Sequence, residues 1–293
     1  MTTAIRTLRP AFKILPITVL AVFAIGAPAV LAQPVESPSL TARAAVVVDP
    51  KNGGILYSKN AHLKLPPAST AKLMTVLLAL DHLSLDSLVP ISLKAAQTSP
   101  SKAGLALNAR YRALDLVVAA LVSSSNDAAI ALAEAVSGSE DNFATLMNAK
   151  AKALGMNDTK FINATGLTER RKKQYTTAYD LAVLMRAAAR DRRIDRIMEI
   201  RTVMIRGSDG KSIFLRSHNK MLWRTPNFVK GKTGWTHASR HTFVGTDFGS
   251  DKKIVFAMLS SQKPWMDIER LATFGLLLKG RGEPVARHWW NRF

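Results

Sequence analysis

Ser69 and Lys72 stand three residues apart in the run Pro66-Pro67-Ala68-Ser69-Thr70-Ala71-Lys72-Leu73-Met74-Thr75. Two prolines forbid helix before the serine, and the apolar run Ala71 to Leu80 suits a helix after it. Ser69 is then expected at a helix N-terminus, where free backbone N–H groups and the helix dipole favour developing negative charge. Lys72 falls on the same face one turn later. A hydroxyl and an amine held in this way can form a serine–lysine pair, an alternative to Ser-His-Asp. The spacing alone does not select it, because Ser-x-x-Lys recurs elsewhere, among other places at Ser99/Lys102, Ser208/Lys211, Ser217/Lys220 and Ser250/Lys253. Those four fall in turns bearing Pro, Gly or Asn, and none opens an apolar helix. The plain alternative for Ser69 is an N-cap followed by an exposed lysine.

Two more polar clusters have chemical potential. Ser124-Ser125-Asn126 interrupts two apolar helical runs, which places a hydroxyl and an amide at a helix–helix junction, either lining a cleft or serving as a helix stop and cap. Ser217-His218-Asn219 has the same Ser-x-Asn form but lies at a strand end. Lys232-Thr233-Gly234 occurs once, within the predicted strand 228–236, and glycines on both sides of Lys232 let backbone approach a ligand. Lys232 would present a cation to an anionic group such as a terminal carboxylate. A basic edge strand that discourages aggregation is the competing explanation.

The elements that must position these residues follow from periodicity and turn chemistry. Strands at 44–48 and 55–57 flank Asp49-Pro50-Lys51-Asn52-Gly53-Gly54 as a hairpin. Helices are expected at 71–80, 113–122, 126–136, 140–153 and 177–190, with 99–112 a loop. Asn126 or Asp127 would cap the third of these helices, and Thr177-x-x-Asp180 gives the last a capping-box start. A second hairpin at 201–206 and 212–216 and strands at 228–236, 242–247 and 253–259 precede a closing helix at 266–279. Strands at both ends with helices between them predict an α+β fold: one antiparallel sheet formed by both chain ends, flanked by helices, with a helical insertion subdomain.

With 293 residues, 47% of them hydrophobic, the chain can bury a substantial core. Its formal charge of +20 is spread along the sequence and favours anionic surroundings, such as a phospholipid surface or cell-envelope polymers. No nucleic-acid module accompanies the charge, so nucleic acid is not expected as a partner. Arg6, Arg9 and Lys13 followed by apolar Ile14 to Ile25 and by Val30-Leu31-Ala32 read as a cleavable signal peptide over 1–32. A retained anchor is the alternative, opposed by Pro16, Gly26, Pro28 and the shortness of the run. Cleavage would take the formal +20 to +17. A linker at 33–41, a catalytic domain at 42–279 and a basic aromatic tail at 280–293 complete the expected organisation. The chain has no cysteine, which excludes disulfides and thiolate chemistry and is compatible with export. Its six histidines show no metal-ligand spacing and are expected to be surface or structural residues.

Ser69-Thr70-Ala71-Lys72, Ser124-Ser125-Asn126 and Lys232-Thr233-Gly234, in this order, resemble the three motifs of the penicillin-binding proteins and serine β-lactamases. The flanks Pro66–Thr75, Ser125–Ala129, Met147–Met156 and Gly234-Trp235-Thr236 narrow the resemblance to the low-molecular-mass D-alanyl-D-alanine carboxypeptidases, over residues 41–262. The resemblance implies a DD-peptidase/serine β-lactamase-like fold and a periplasmic or other extracytoplasmic serine DD-carboxypeptidase acting on peptidoglycan stem peptides. Ser69 would be the nucleophile, Lys72 the general base with a pKa lowered by burial and by Lys232, Ser124 the proton relay, and Asn126 a holder of Lys72 and the peptide amide. Lys232, Thr233 and Gly234 would form the carboxylate site, and the backbone N–H groups of Ser69 and Trp235 the oxyanion hole. No metal or cofactor is implied, and β-lactam antibiotics would be covalent inhibitors.

The chain departs from the family pattern at Ser239-Arg240, where an Ala-Gly pair is usual, and it is expected to end soon after the catalytic domain, where the larger members carry a β-rich second domain and an anchor. Arg240 would either assist Lys232 or face solvent. The tail Arg287-His288-Trp289-Trp290-Asn291-Arg292-Phe293 suits a membrane interface but is too short to anchor alone. Three alternatives stay open: a DD-endopeptidase cleaving cross-links, a serine β-lactamase, for which Glu169 is the nearest glutamate, and a non-enzymatic envelope-binding protein.

Overall fold

The computed structural model describes residues 1–2, 36–169, 171–224, 229–247 and 254–280. It divides into two units, Met1–Glu36 and Ser37–Phe293, and the second carries every element below. The expected signal peptide beyond residue 2 and the tail beyond Gly280 lie outside the described residues.

The sheet joins both ends of this unit. β1 (Ala44–Val48) pairs antiparallel with β2 (Ile55–Lys59) on one side and with β9 (Val255–Ser261) on the other. β8 (Arg240–Asp247) and β7 (Val229–Thr236) continue it, giving the order β2-β1-β9-β8-β7 with β7 at an edge. β1 reads Ala-Ala-Val-Val-Val rather than alternating with polar residues because both faces are covered. Ala44, Val46 and Val48 join the large core on the helical side, whereas Ala45 and Val47 face α9 (Pro264–Leu278) on the other. β9 alternates in the same way, with Val255, Ala257 and Leu259 on the first face and Phe256 and Met258 on the second. Asp267 of α9, fully buried, accepts hydrogen bonds from Thr41 N (3.0 Å), Thr41 Oγ1 (2.7 Å), Ala42 N (2.8 Å) and Ser261 Oγ (2.7 Å). This one carboxylate ties the first strand's entry to the last strand's exit.

The helical side is built around α1 (Lys72–His82), whose residues Lys72 to Leu80 are all buried. It packs against α3 (Ala113–Val122), α4 (Asn126–Ser137), α5 (Glu140–Ala153) and α6 (Ala178–Ala188), and α6 in turn lies on β1, β8 and β9. α1 therefore sits between helices on every side, which explains a sequence apolar all round rather than in a stripe. Thr177 Oγ1 accepts from Asp180 N (3.0 Å) at the start of α6, as its capping box predicts. Two hairpin partners appear where none was expected. β3 (Leu88–Pro90) pairs with β4 (Arg110–Arg112), the latter inside the segment read as loop. Short helices α2 (Leu93–Gln97), α7 (Arg192–Ile197) and α8 (Met221–Arg224) also escape periodicity, being too short to show it. β5 (Thr202–Arg206) and β6 (Ser212–Arg216) form the second hairpin. No described helix is long and apolar enough to cross a membrane.

Candidate active site

The nucleophile candidate lies one step before α1. Ala68–Ala71 form a 3₁₀ turn that runs directly into the helix at Lys72. Ala68 is left-handed, at φ +48°, a strained conformation for a residue with a Cβ, and its surroundings hold it there. Thr70 Oγ1 (2.6 Å) and Thr242 Oγ1 (3.0 Å) both donate to Pro67 O. Gly166, at φ +80°, packs so tightly that a Cβ there would lie 1.8 Å from Ala68 O. β7 closes the other side: a Cβ on Gly234 would lie 2.4 Å from Thr242 Oγ1 and 2.8 Å from Ser69 N. Gly234 is thus required by the approach of the edge strand to the turn.

Lys72 is fully buried and points at three oxygens. Its Nζ lies 2.9 Å from Ser69 Oγ, 2.6 Å from Asn126 Oδ1 and 2.8 Å from Thr165 O. Two of these, the amide oxygen and the carbonyl, can only accept. A neutral amine has two N–H donors and one lone pair, so those acceptors take both protons and leave the lone pair directed at the Ser69 hydroxyl. The neutral form is favoured, because burial first and the charge of Lys232 second hold the Lys72 pKa well below the ordinary lysine range, against smaller opposing effects of Asp127 and Glu140.

Each partner of Lys72 is itself fixed. Asn126 Nδ2 donates to Pro100 O, which turns Oδ1 toward the lysine, and Asn126 N donates to Ser101 O (2.8 Å). The cap position of α4 belongs to Ser125 rather than to Asn126 or Asp127, and the Ser125 side chain makes no capping bond. Asp127 instead turns back to accept from the backbone N–H of Ala103 (3.0 Å), Gly104 (2.9 Å) and Leu105 (3.1 Å), holding the 100–105 segment as a wall. The carbonyl of Thr165 is set by Asn163, whose Oδ1 accepts from Thr165 Oγ1 (3.1 Å) and Gly166 N (2.9 Å). Thr75, on the same helix face as Lys72, donates to Ala164 O (2.7 Å) and locks that loop to α1.

Ser124 adopts φ +59° in the α3–α4 junction, and its Oγ accepts from Lys232 Nζ at 2.8 Å. Lys232 also donates to Thr233 O (2.7 Å). Alternation along β7 puts Lys230 and Lys232 on one face, yet their surroundings differ. Lys230 meets Asp195 (2.9 Å) and Glu199 (2.6 Å), whereas no described carboxylate reaches Lys232. Burial alone pushes the Lys232 pKa down to about 7. The strand is an edge strand, but these lysines point inward, so protection of a free edge does not explain them.

Ser69, Ser124, Asn126, Thr233, Gly234 and Trp235 line one cleft of about 350 Å³, with Lys72 and Lys232 buried behind it. Trp235 is half-exposed at its rim. Two histidines read as surface or structural residues, His218 and His241, also line it, together with Leu167 and Trp265. Desolvation, then the charges of Lys232 and Lys72, lower the His218 pKa and keep it neutral. The Ser-x-Asn likeness of Ser217-His218-Asn219 was the one sequence signal for that neighbourhood. Arg240 stands at the β7–β8 turn, exposed and outside the cleft wall, so of its two readings solvent prevails. Glu169 hydrogen-bonds Asn163 Nδ2 (3.1 Å) and lines other cavities. Among the described residues no carboxylate lines the cleft, and no cluster of three His, Asp or Glu side chains forms a metal-ligand set.

Comparison with known proteins gives the family and the fold. Residues 31–262 match a family described as D-alanyl-D-alanine carboxypeptidase. A D-alanyl-D-alanine carboxypeptidase of Mycobacterium tuberculosis is 33% identical over 225 residues, covering 77% of this chain and 77% of that protein. A D-alanyl-D-alanine endopeptidase of Escherichia coli is 31% identical over 248 residues, covering 82% and 78%. The chain spans 58% of the length of a Bacillus subtilis D-alanyl-D-alanine carboxypeptidase, at 29% identity, in a match over 76% of this chain. Among solved structures, a D-alanyl-D-alanine carboxypeptidase of Mycobacterium tuberculosis superposes with a TM-score of 0.79 at 30% identity, covering 85% of this chain and 96% of that one.

Proposed function

The chain belongs to the D-alanyl-D-alanine carboxypeptidase family, and we propose that it is an exported serine DD-peptidase that removes the terminal D-Ala from peptidoglycan stem pentapeptides. The observation that carries this reading is the Lys72 environment: a buried amine 2.9 Å from Ser69 Oγ with its two other neighbours acting only as acceptors.

In the first half-reaction Ser69 Oγ attacks the carbonyl carbon of the penultimate D-Ala while its proton passes to neutral Lys72 Nζ. The oxyanion forms at the backbone N–H groups of Ser69 and Trp235, where each donor is worth about 3–4 kcal/mol to such a transition state. Collapse breaks the C–N bond, and the proton taken up by Lys72 passes by way of Ser124 Oγ, held 2.8 Å from Lys232 Nζ, to the leaving amine, which returns Lys72 to its neutral form. Lys232 and Thr233 hold the leaving carboxylate, and Asn126 holds the substrate amide along with Lys72. Water then attacks the ester on Ser69 as Lys72 takes its proton, and Lys72 returns that proton to Ser69 Oγ as the acyl C–O bond breaks, releasing the shortened peptide and free serine. The basic chain and its N-terminal leader fit an extracytoplasmic place near anionic envelope surfaces.

A penicillin would acylate Ser69 by the same steps and leave slowly, because no described carboxylate lines the cleft to activate deacylating water. Full-length protein should therefore keep a fluorescent penicillin bound covalently, and Ser69→Ala should take up none. Rapid turnover of the drug would favour a β-lactamase, and absence of labelling in the wild type would remove the enzyme reading. Cross-linked dimers are the second substrate to test, since an endopeptidase relative is 31% identical. Cleavage of dimers only would replace carboxypeptidase by endopeptidase.

A further inference from the structure

Beside the catalytic cleft lies a second cavity of about 590 Å³, lined by Arg216, Ser217, His218, Lys220, Trp223 and Arg224. Its cations come from one short stretch, the end of β6 and α8, and that stretch is clamped in place. Asn219, buried, accepts from Met221 N (3.0 Å) and donates to Val229 O (3.2 Å), while His218 N donates to Val122 O (3.1 Å). Arg224 N donates to Lys220 O (3.2 Å), so Lys220 and Arg224 stand one above the other. The Arg216 guanidinium lies 5.1 Å from the Trp223 ring centre, and Lys220 Nζ lies 5.9 Å from that of Trp265, a residue of the catalytic cleft.

These exposed cations lack the counter-ions that their neighbour has. Lys230 is held by Asp195 and Glu199, but among the described residues no ion pair engages Arg216, Lys220 or Arg224. Residues 217–236 contain no Asp or Glu. Glu269, a carboxyl on which Arg224 acts, is buried, and burial pushes its pKa up to about 7, which weakens it as a counter-ion.

His218 is a wall of both cavities and stands within the field of Lys232. A ligand in the catalytic cleft that extends past His218 meets this cavity next. We infer that Arg216, Lys220 and Arg224 form an anion subsite for a carboxylate of the peptide on the leaving side of the scissile bond. This rests on the proposed reading of Lys232 as the site of the carboxylate that follows that bond. A free D-Ala leaving group ends at Lys232, whereas a cross-linked stem continues and carries a carboxylate at its own C-terminus at the least. Arginine forks match carboxylates in two-point hydrogen bonding, and Trp223 holds one fork flat.

The test compares a cross-linked muropeptide dimer with a pentapeptide, using full-length wild type, Arg216→Gln, Arg224→Gln and the double variant. The double variant is expected to lose about tenfold or more in kcat/KM on the dimer, with the pentapeptide changed by less than about twofold. Arg216→Lys and Arg224→Lys, which keep the charge and lose the fork, should recover only part of the dimer rate, and added salt should shrink the wild-type advantage. Equal losses on both substrates, no loss on either, or a wild type that trims pentapeptides and leaves dimers intact would overturn the subsite. Fluorescent penicillin labelling of the same samples separates the two levels. An unlabelled wild type sinks the DD-peptidase reading itself, whereas normal labelling with unchanged dimer kinetics sinks only the subsite.

Discussion

Lys232→Met should make the protein more stable and less able to be acylated, and its stability gain should depend on pH in a calculable way. Folding lowers the Lys232 pKa from 10.5 to about 7, so below pH 7 the native state must hold a buried charge that the unfolded chain carries in water. At about 1.4 kcal/mol per pH unit, that gap corresponds to a destabilisation of about 5 kcal/mol below pH 7. The sign follows from proton counts. Between pH 7 and 10.5 the unfolded chain binds the extra proton, so the native state gains stability as pH rises and the penalty has vanished above 10.5. Methionine has a similar volume and no charge, but it abandons two hydrogen bonds, to Ser124 Oγ and Thr233 O, worth about 1 kcal/mol each. The expected net stabilisation is about 3 kcal/mol at pH 6, falling by about 1.4 kcal/mol per unit above pH 7. Urea unfolding at pH 6, 7.5 and 9 measures it directly, with penicillin labelling as the functional readout. A variant that is less stable than wild type at pH 6, or whose difference from wild type is flat with pH, would refute a charge buried without a counter-ion.

Acylation should also fall on the acid side as Lys72 gains its proton, and the charge of Lys232 helps hold that proton off. In Lys232→Met the acid limb of the labelling rate is expected to move to higher pH; an unmoved limb argues against Lys72 as the base. Gly234→Ala drives a Cβ to 2.8 Å from Ser69 N, so labelling should drop by at least about tenfold, as expected when a reacting group is misplaced. Gly166→Ala combines φ +80° with a 1.8 Å clash and should lower stability by about 2–4 kcal/mol in urea as well as labelling. Asp267 does not itself line the cleft, and Asp267→Ala frees four donors that join the first and last strands. Its expected cost is about 3 kcal/mol or more in urea, with labelling of the remaining folded protein unchanged.

Sequence by itself determined the order of the longer elements, the antiparallel sheet made from both chain ends, and the short runs from which the cleft is built. Each was readable for a local reason. Lys72 follows Ser69 by one helical turn, Ser124-Ser125-Asn126 breaks two apolar helices, and Gly231 and Gly234 flank Lys232-Thr233 within a strand, where glycine signals close approach. Strands β3 and β4 were hidden because three residues carry no period, and their pairing spans more than twenty positions. What only the tertiary structure decided is the state of the lysines. Lys72, Lys230 and Lys232 look alike in the chain, yet folding gives the second two carboxylate partners and buries the other two without any among the described residues. The Thr165 carbonyl that completes the Lys72 environment, and the shared His218 wall, come from segments 93 and 146 residues away from Lys72. Desolvation and field depend on what the whole fold brings within a few ångströms, and no spacing along the chain encodes that sum.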